Sequence, residues 1–76
     1  MILPTKYIRL RNSLLNSGAI LLNNITNRQS VTQLWDKARM LSEIKTFDKF
    51  TLSLDMLFSL GLIDIRDGII VRLHHD

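Results

Sequence analysis

The sequence predicts a small α+β domain in which three helices precede a C-terminal β-hairpin. Three observations support this prediction. Apolar residues recur at helical spacing in several stretches before Gly61, and after that glycine the apolar period changes to two. The second half of that pattern surrounds Asp67-Gly68, and Asp-Gly is among the strongest short-range signals for a hairpin. The length of 76 residues allows one domain.

Residues 1–12 are predicted to form an extended arm, followed by the domain proper at 13–73 and a tail at 74–76. Pro4 has no N–H to donate and favours an extended start. Apolar and basic residues alternate weakly over 7–11, as they do in a strand. The arm would either pack back as an edge strand or lie on a neighbouring protein, and both alternatives stay open.

A first helix, capped by Asn12 or Ser13, is predicted to run to about Asn24. Its buried face is expected to consist of Leu14, Leu15, Gly18, Ala19, Leu22 and Ile25. Gly18 costs about 1 kcal/mol of helix propensity relative to Ala, which the close approach of another backbone would offset. Leu21 is expected to lie off this face.

A very short strand at 30–31 and a second helix capped by Thr32, with Asp36 near its start, are predicted next. The buried face of this helix should consist of Leu34, Ala38 and Leu41. Trp35 lies on the flank of that face. A tryptophan there serves either as a lid over the core or as an interface anchor.

The third helix is the central one, with Thr46 as its N-cap, Asp48 in its first turn and Gly61 at its end. Two apolar rows run along it, the first with Phe47, Phe50, Leu54, Leu57 and Phe58, the second with Leu52, Met56 and Leu60. A helix that is apolar over so much of its circumference must be covered by other elements on more than one side. The chain is 46% hydrophobic, which indicates a dense core or a surface that meets a partner.

The order helix, short strand, helix, helix, hairpin is that of a winged helix-turn-helix domain. A generic three-helix domain with a C-terminal ribbon is the alternative. The absence of cysteine excludes disulfides and thiolate metal sites. The sequence has no apolar run long enough to span a membrane and no secretory signal at its start, so we expect a cytoplasmic protein.

The sequence holds no recognisable catalytic constellation, and a non-enzyme without a cofactor or metal is expected. The histidines, His74 and His75, stand beside Asp76 at the C-terminus. A solvated tail or the remnant of a purification tag is the preferred explanation, with weak metal binding as the alternative.

Nucleic-acid binding must be weighed because the third helix of a winged helix enters the major groove. Here that helix carries Lys49 against two carboxylates, and Asp55 in its middle would be repelled by phosphate. The cations cluster instead in the arm, at Lys6, Arg9 and Arg11. We therefore predict weak, nonspecific DNA contact through the arm and no sequence-specific readout. The net charge of +3 fits this expectation without requiring it.

Much of the chain resembles the small middle component of bacterial ABC three-component systems, which overlap with Lamassu-type anti-phage defence. The similar segments are LPTKYI at 3–8, SLL at 13–15, VTQLW at 31–35, FDKF at 47–50 and LDMLFSLGLI at 54–63, followed by the Gly68 hairpin. Most of these positions are core residues, so no single segment is a chemical motif.

The resemblance implies a non-catalytic subunit that docks on an SMC-like or Rad50-like ABC ATPase and links it to an effector, often a nuclease. Contact with DNA through the complex is compatible with this role, and whether the subunit itself touches DNA stays open. The implied partner-binding residues are Pro4, Tyr7, Ile8, Trp35, Phe47 and Phe50. A small winged-helix transcriptional regulator and an antitoxin-like adaptor are the alternatives. Neighbouring genes would separate them, since a long coiled-coil ATPase gene favours the subunit.

Overall fold

The fold was taken from a computed structural model that describes residues 4–26 and 28–73. In that part of the chain, three helices and three strands follow one another as α1 (Pro4–Asn24), β1 (Gln29–Ser30), α2 (Val31–Ala38), α3 (Phe47–Ser59), β2 (Ile63–Arg66) and β3 (Ile69–Arg72). The predicted small α+β domain, with its helices followed by a hairpin, is confirmed. None of the described helices is long and apolar enough to cross a membrane.

The strands form an antiparallel sheet in the order β1-β3-β2, with β3 in the centre. Arg66 pairs with Ile69 at the end of the hairpin, which leaves Asp67 and Gly68 as a two-residue turn. Their φ angles are +52° and +76°, both in the left-handed region that a type I′ turn requires. The Asp-Gly signal therefore predicted the hairpin correctly.

The N-terminal segment differs from the prediction, because α1 begins at Pro4 and residues 4–12 are helical. The strand-like interpretation of 7–11 is wrong. Proline is favoured at the first position of a helix, where its missing N–H would have no partner in any case. Lys6 and residues 8–12 are all exposed, so this half of α1 is not packed back on the domain as an edge strand. Residues 1–3 lie outside the described part, and the division of the chain at residue 12 stays a prediction.

The buried face of α1 is rotated relative to the expected one. Leu21 and Ser17 are fully buried, whereas Leu15 and Ala19 are exposed. The hydroxyl oxygens of Ser17 and Ser53 lie 2.7 Å apart, so a hydrogen bond lets two polar residues occupy the interface between α1 and α3. Because the residue that completes the buried face is a serine, apolar spacing alone placed that face incorrectly.

Gly18 faces α3, but the atoms nearest to it belong to side chains and not to the backbone whose close approach was expected. A Cβ atom built on it would clash with Met56 Cε and would lie 3.6 Å from a methyl group of Leu57, both on α3. The end of the flexible Met56 side chain therefore occupies the space that a side chain at position 18 would need.

The second helix starts two residues earlier than expected. Ser30, not Thr32, is its N-cap, and β1 covers Gln29–Ser30 rather than 30–31. The Ser30 hydroxyl accepts from the backbone N–H of Gln33 at 3.1 Å, while Gln33 Oε1 accepts from the backbone N–H of Ser30 at 3.0 Å. This reciprocal capping box satisfies two otherwise unpaired donors, which a cap by Thr32 would not do.

The ends of α3 are those predicted. The Thr46 hydroxyl accepts from the backbone N–H of Lys49 at 3.2 Å. At the other end Gly61 has a φ of +73°, and the N–H of Leu62 reaches the carbonyl of Leu57 at 3.0 Å. That bond, with the one from Gly61 to Phe58, forms a Schellman motif.

The core lies where the three described helices meet the inner face of the sheet. Its buried apolar residues are Leu21, Ile25, Leu34, Ala38, Ile44, Phe50, Leu54, Leu57, Ile63 and Ile70. Ile44 belongs to the linker between α2 and α3, where no periodic pattern could reveal it. On α3 the core takes only one face, and Phe47, Leu52, Phe58 and Leu60 remain exposed.

Candidate functional site

Large apolar side chains are exposed in several places on the described surface. They are Ile8, Leu10 and Leu15 on α1, Met40 in the linker, Phe47, Leu52, Phe58 and Leu60 along or just after α3, and Ile65 on β2. Single exposed apolar residues are normal, whereas grouped ones indicate an interaction surface. Two groups stand out because charged residues accompany them.

The first group, called the α1 surface, consists of Ile8, Leu10 and Leu15 together with the cations Lys6, Arg9 and Arg11. Ile8 is 51% exposed and Leu15 is 47% exposed. They are seven residues apart, so they lie on the same side of the helix, whereas Leu10, two residues after Ile8, lies on the other side. The helix sequence contains no Asp or Glu, so this apolar surface carries only positive charge.

The three cations predicted to touch DNA are thus exposed together on one half of a helix rather than on an extended arm. Ile8, a predicted partner-binding residue, is in the same region. The side chains of Pro4 and Tyr7, predicted to belong to the same set, lie outside the described part.

The other predicted partner-binding residues form an aromatic cluster. The ring centre of Trp35 lies 5.2 Å from that of Phe47, edge to face, and 5.1 Å from that of Phe50. Phe50 is fully buried, Trp35 is half-buried and Phe47 is 54% exposed. Trp35 therefore serves as a lid over the core. Phe50 offers no surface to a partner and can act only by holding the other two rings in place.

The second group of exposed residues surrounds an open groove between α3 and β2, which we call the α3–β2 groove. Its volume is about 420 Å³, and it is lined by Val31, Thr51, Leu54, Asp55, Phe58, Asp64 and Ile65. Phe58 is 53% exposed and Ile65 is 42% exposed, so both present apolar surface there. The central helix was expected to need covering on more than one side, and this groove is one of the places where the described chain leaves it uncovered.

The charged groups that line the groove are both carboxylates. Asp55 is exposed, and no ion pair to it is present in the described part of the chain. Asp64 Oδ2 accepts from Arg66 Nε at 3.0 Å, and its Oδ1 accepts from the backbone N–H of Ile65 at 2.8 Å. Arg66 therefore offsets one of the two charges, and the groove keeps an acidic rim.

Sequence reasoning missed this groove and the Ser17–Ser53 contact. Phe58 repeats at the spacing of Phe50 and Leu54, so the sequence gave no reason to place it outside the core. The hydroxyl pair joins residues 36 positions apart, which no local pattern indicates. The acidic character of α3 is visible in Asp48 and Asp55, but the sequence alone does not connect these residues with an apolar groove.

A metal site was not expected, and within residues 4–26 and 28–73 no group of three or more His, Asp or Glu side chains is placed to hold one. The tail of His74, His75 and Asp76 lies outside this part of the chain.

The family model for ABC-three component (ABC-3C) system Middle Component 6 matches residues 3–74. The chain belongs to the Middle Component 6 family. That match covers the α1 surface, the aromatic cluster and the α3–β2 groove together. No curated protein and no solved structure matches the chain.

Membership of the Middle Component 6 family makes this chain an accessory component of a multi-subunit system. The predicted resemblance to a middle component of ABC three-component systems is confirmed at that level. A middle component has partner subunits, so part of its surface has to meet other proteins.

Proposed function

We propose that this Middle Component 6 protein is a non-catalytic subunit of a cytoplasmic anti-phage defence complex of Lamassu type. It docks on an SMC-like or Rad50-like ABC ATPase and links that ATPase to a nuclease-type effector. The observation that carries the proposal is the family match over residues 3–74. The exposed apolar groups supply the surface that such a role needs.

The α1 surface is the best candidate for the contact with the ATPase. Ile8, Leu10 and Leu15 expose about half of their surface each, at 51%, 57% and 47%. The described side chains between Lys6 and Asn12 are not buried by any other element. Burying such residues in an interface is favourable at about 25 cal/mol per Å² of apolar surface. The adjacent cations favour an acidic patch on the ATPase.

A DNA-binding regulator remains the second candidate, and the favourable observation is the cationic end of α1. Lys6, Arg9 and Arg11 would give weak, sequence-independent affinity for phosphates. In a winged helix the third helix reads the bases, but here α3 carries Asp48 and Asp55. The α3–β2 groove beside the hairpin is acidic as well. We therefore place any DNA contact in the assembled complex rather than in this subunit alone.

Co-expression with the neighbouring ATPase and effector genes tests the proposal. The wild-type chain should co-purify with both products. Ile8→Asp combined with Leu15→Asp should abolish recovery of the ATPase, because it places two charges in an apolar contact. Thr32→Asp with Ser42→Asp is the matched control, since it adds the same charge at exposed positions outside α1.

Circular dichroism and a thermal melt of each variant show whether the domain stays folded. Retention of the ATPase by the folded Ile8/Leu15 variant would contradict docking through the α1 surface. A wild-type chain that co-purifies with neither gene product, while binding one DNA sequence far more tightly than random DNA, would favour the regulator.

A further inference from the structure

The α3–β2 groove and the α1 surface combine apolar residues with charges of opposite sign. Around α1 the charges are Lys6, Arg9 and Arg11, whereas the groove is rimmed by Asp55 and Asp64. Like charges across an interface cost several kcal/mol in general, so two such surfaces select different partners. An acidic segment of a partner would be attracted to the α1 surface and repelled by the α3–β2 groove.

We propose that the α3–β2 groove is a second docking site, which takes a protein segment with one large apolar side chain flanked by Lys or Arg. The segment belongs to a subunit of the same complex other than the one bound by the α1 surface. This inference rests on the proposed function and adds to it the chemistry of a second partner. The apolar side chain lies against Phe58 and Ile65, and the cation lies beside Asp55.

The groove has room for one anchoring residue. Its volume of about 420 Å³ exceeds the space of a single side chain and is far below that of a folded element. Its floor is apolar, because Leu54 is 7% exposed and belongs to the core, with Phe58 and Ile65 as the walls. Interface hot spots are commonly single side chains in pockets of this kind.

The charges choose between protein and nucleic acid as the occupant. A phosphate backbone brought to this groove would meet Asp55, whose carboxylate has no ion-pair partner in the described part of the chain. The nearby cation, Arg66, is held by Asp64 at 3.0 Å. A Lys or Arg beside Asp55 would instead form a charge-assisted contact, which is about twice as strong as a neutral one. We therefore assign the groove to a basic protein segment.

The test uses the complex of the full chain with the products of the neighbouring ATPase and effector genes. Phe58→Ala should weaken the association of one subunit by about 30-fold, the size typical of a hot spot, and leave the other bound. Leu60→Ala is the matched control, because Leu60 is exposed to a similar degree, 58% against 53%, and does not line the groove. Equal binding by wild type and the Phe58 variant would overturn the inference.

Charge reversal gives the second arm. Asp55→Lys with Asp64→Lys should weaken the binding of the same subunit, whereas Asp36→Lys with Glu43→Lys, an equal change of charge at exposed positions on α2 and in the linker, should not. A photo-reactive benzoylphenylalanine in place of Thr51, half-buried in the groove, should cross-link to a segment containing Lys or Arg. Changing the Lys or Arg of the cross-linked partner segment to Asp should restore binding to the groove that carries the two Asp→Lys changes.

Cross-linking to a second copy of this chain, to DNA, or to a segment without Lys or Arg would refute the assignment. Failure of the proposed function gives a different result, since the wild-type chain would then co-purify with neither gene product. Loss of both subunits on Phe58→Ala would show one contiguous interface instead of two, and it would also overturn the inference.

Discussion

The two halves of α1 have the same secondary structure and opposite roles. The second half packs on α3, with Ser17 and Leu21 fully buried and Gly18 against Met56. In the first half, Lys6 and residues 8–12 are exposed. One continuous helix therefore supplies both a wall of the core and a surface that the rest of the described chain does not cover.

This difference separates residues that specify the fold from residues free to specify a partner. A substitution in the second half of α1 changes packing and therefore stability. A substitution in the first half changes the surface that a partner would contact. It should have little effect on stability, since substitutions at exposed positions usually change the free energy of unfolding by less than about 0.5 kcal/mol. The family match includes both halves, at residues 3–74.

The largest expected effect comes from a leucine-to-alanine comparison across the two halves. Leu21→Ala removes a fully buried side chain and should lower the free energy of unfolding by about 2–5 kcal/mol. Leu10→Ala, at a position 57% exposed, should change it by less than about 0.5 kcal/mol. Urea unfolding of both variants measures the difference. Similar losses would mean that the first half of α1 is packed against the domain in solution.

An intermediate effect is expected at the hydroxyl pair. Ser17→Ala should cost about 1 kcal/mol, because it removes one net hydrogen bond from a buried interface. Ser53→Ala should cost a similar amount, and its hydroxyl also donates to the Lys49 carbonyl at 2.7 Å. Since the 2.7 Å contact between the two is shared, the double variant should lose less than the sum of the single variants. Additive losses would show that the pair contributes nothing as a pair.

Features set by a few adjacent residues could be predicted from the sequence. The Asp67-Gly68 turn and the two ends of α3 each depend on a local signal, so the structure has them where expected. The capping box of α2 was equally local and was overlooked, because Thr32 was preferred to the Ser30–Gln33 pair. These are backbone requirements that neighbouring side chains satisfy.

Features that depend on distant partners could not be predicted. The Ser17 hydroxyl is buried against that of Ser53, which lies on another helix. Phe58 shares its row with Phe50, yet one is 53% exposed and the other is fully buried. Which part of an apolar helix is covered depends on the elements that pack around it. The α3–β2 groove follows from that arrangement and not from the sequence of α3 alone.

A glycine comparison sharpens the contrast between the halves of α1. Glycine costs about 1 kcal/mol relative to alanine inside a helix. Ala19→Gly lies in the packed half and should lower the free energy of unfolding by that amount. Arg9→Gly lies in the exposed half, where local opening should absorb the cost. Arg9→Gly should therefore reduce the helical circular dichroism signal without shifting the melting temperature. Arg9→Ala is the control for loss of the charge, and an equal shift for both glycine variants would contradict the expectation.

The smallest effect concerns the charges of the exposed half. Changing Lys6, Arg9 and Arg11 to Gln should leave stability nearly unchanged, because all three side chains are exposed. If they contact phosphates, nonspecific DNA affinity should fall, and the magnitude of the slope of log K against log salt should decrease by up to about 2.7, at about 0.9 for each contact. Fluorescence anisotropy with random duplex DNA over a salt series measures both quantities. The same change at Lys37, Arg39 and Lys45, exposed on α2 and the linker, removes an equal charge and is the matched control. An equal loss in the control would mean that net charge, rather than the end of α1, attracts DNA.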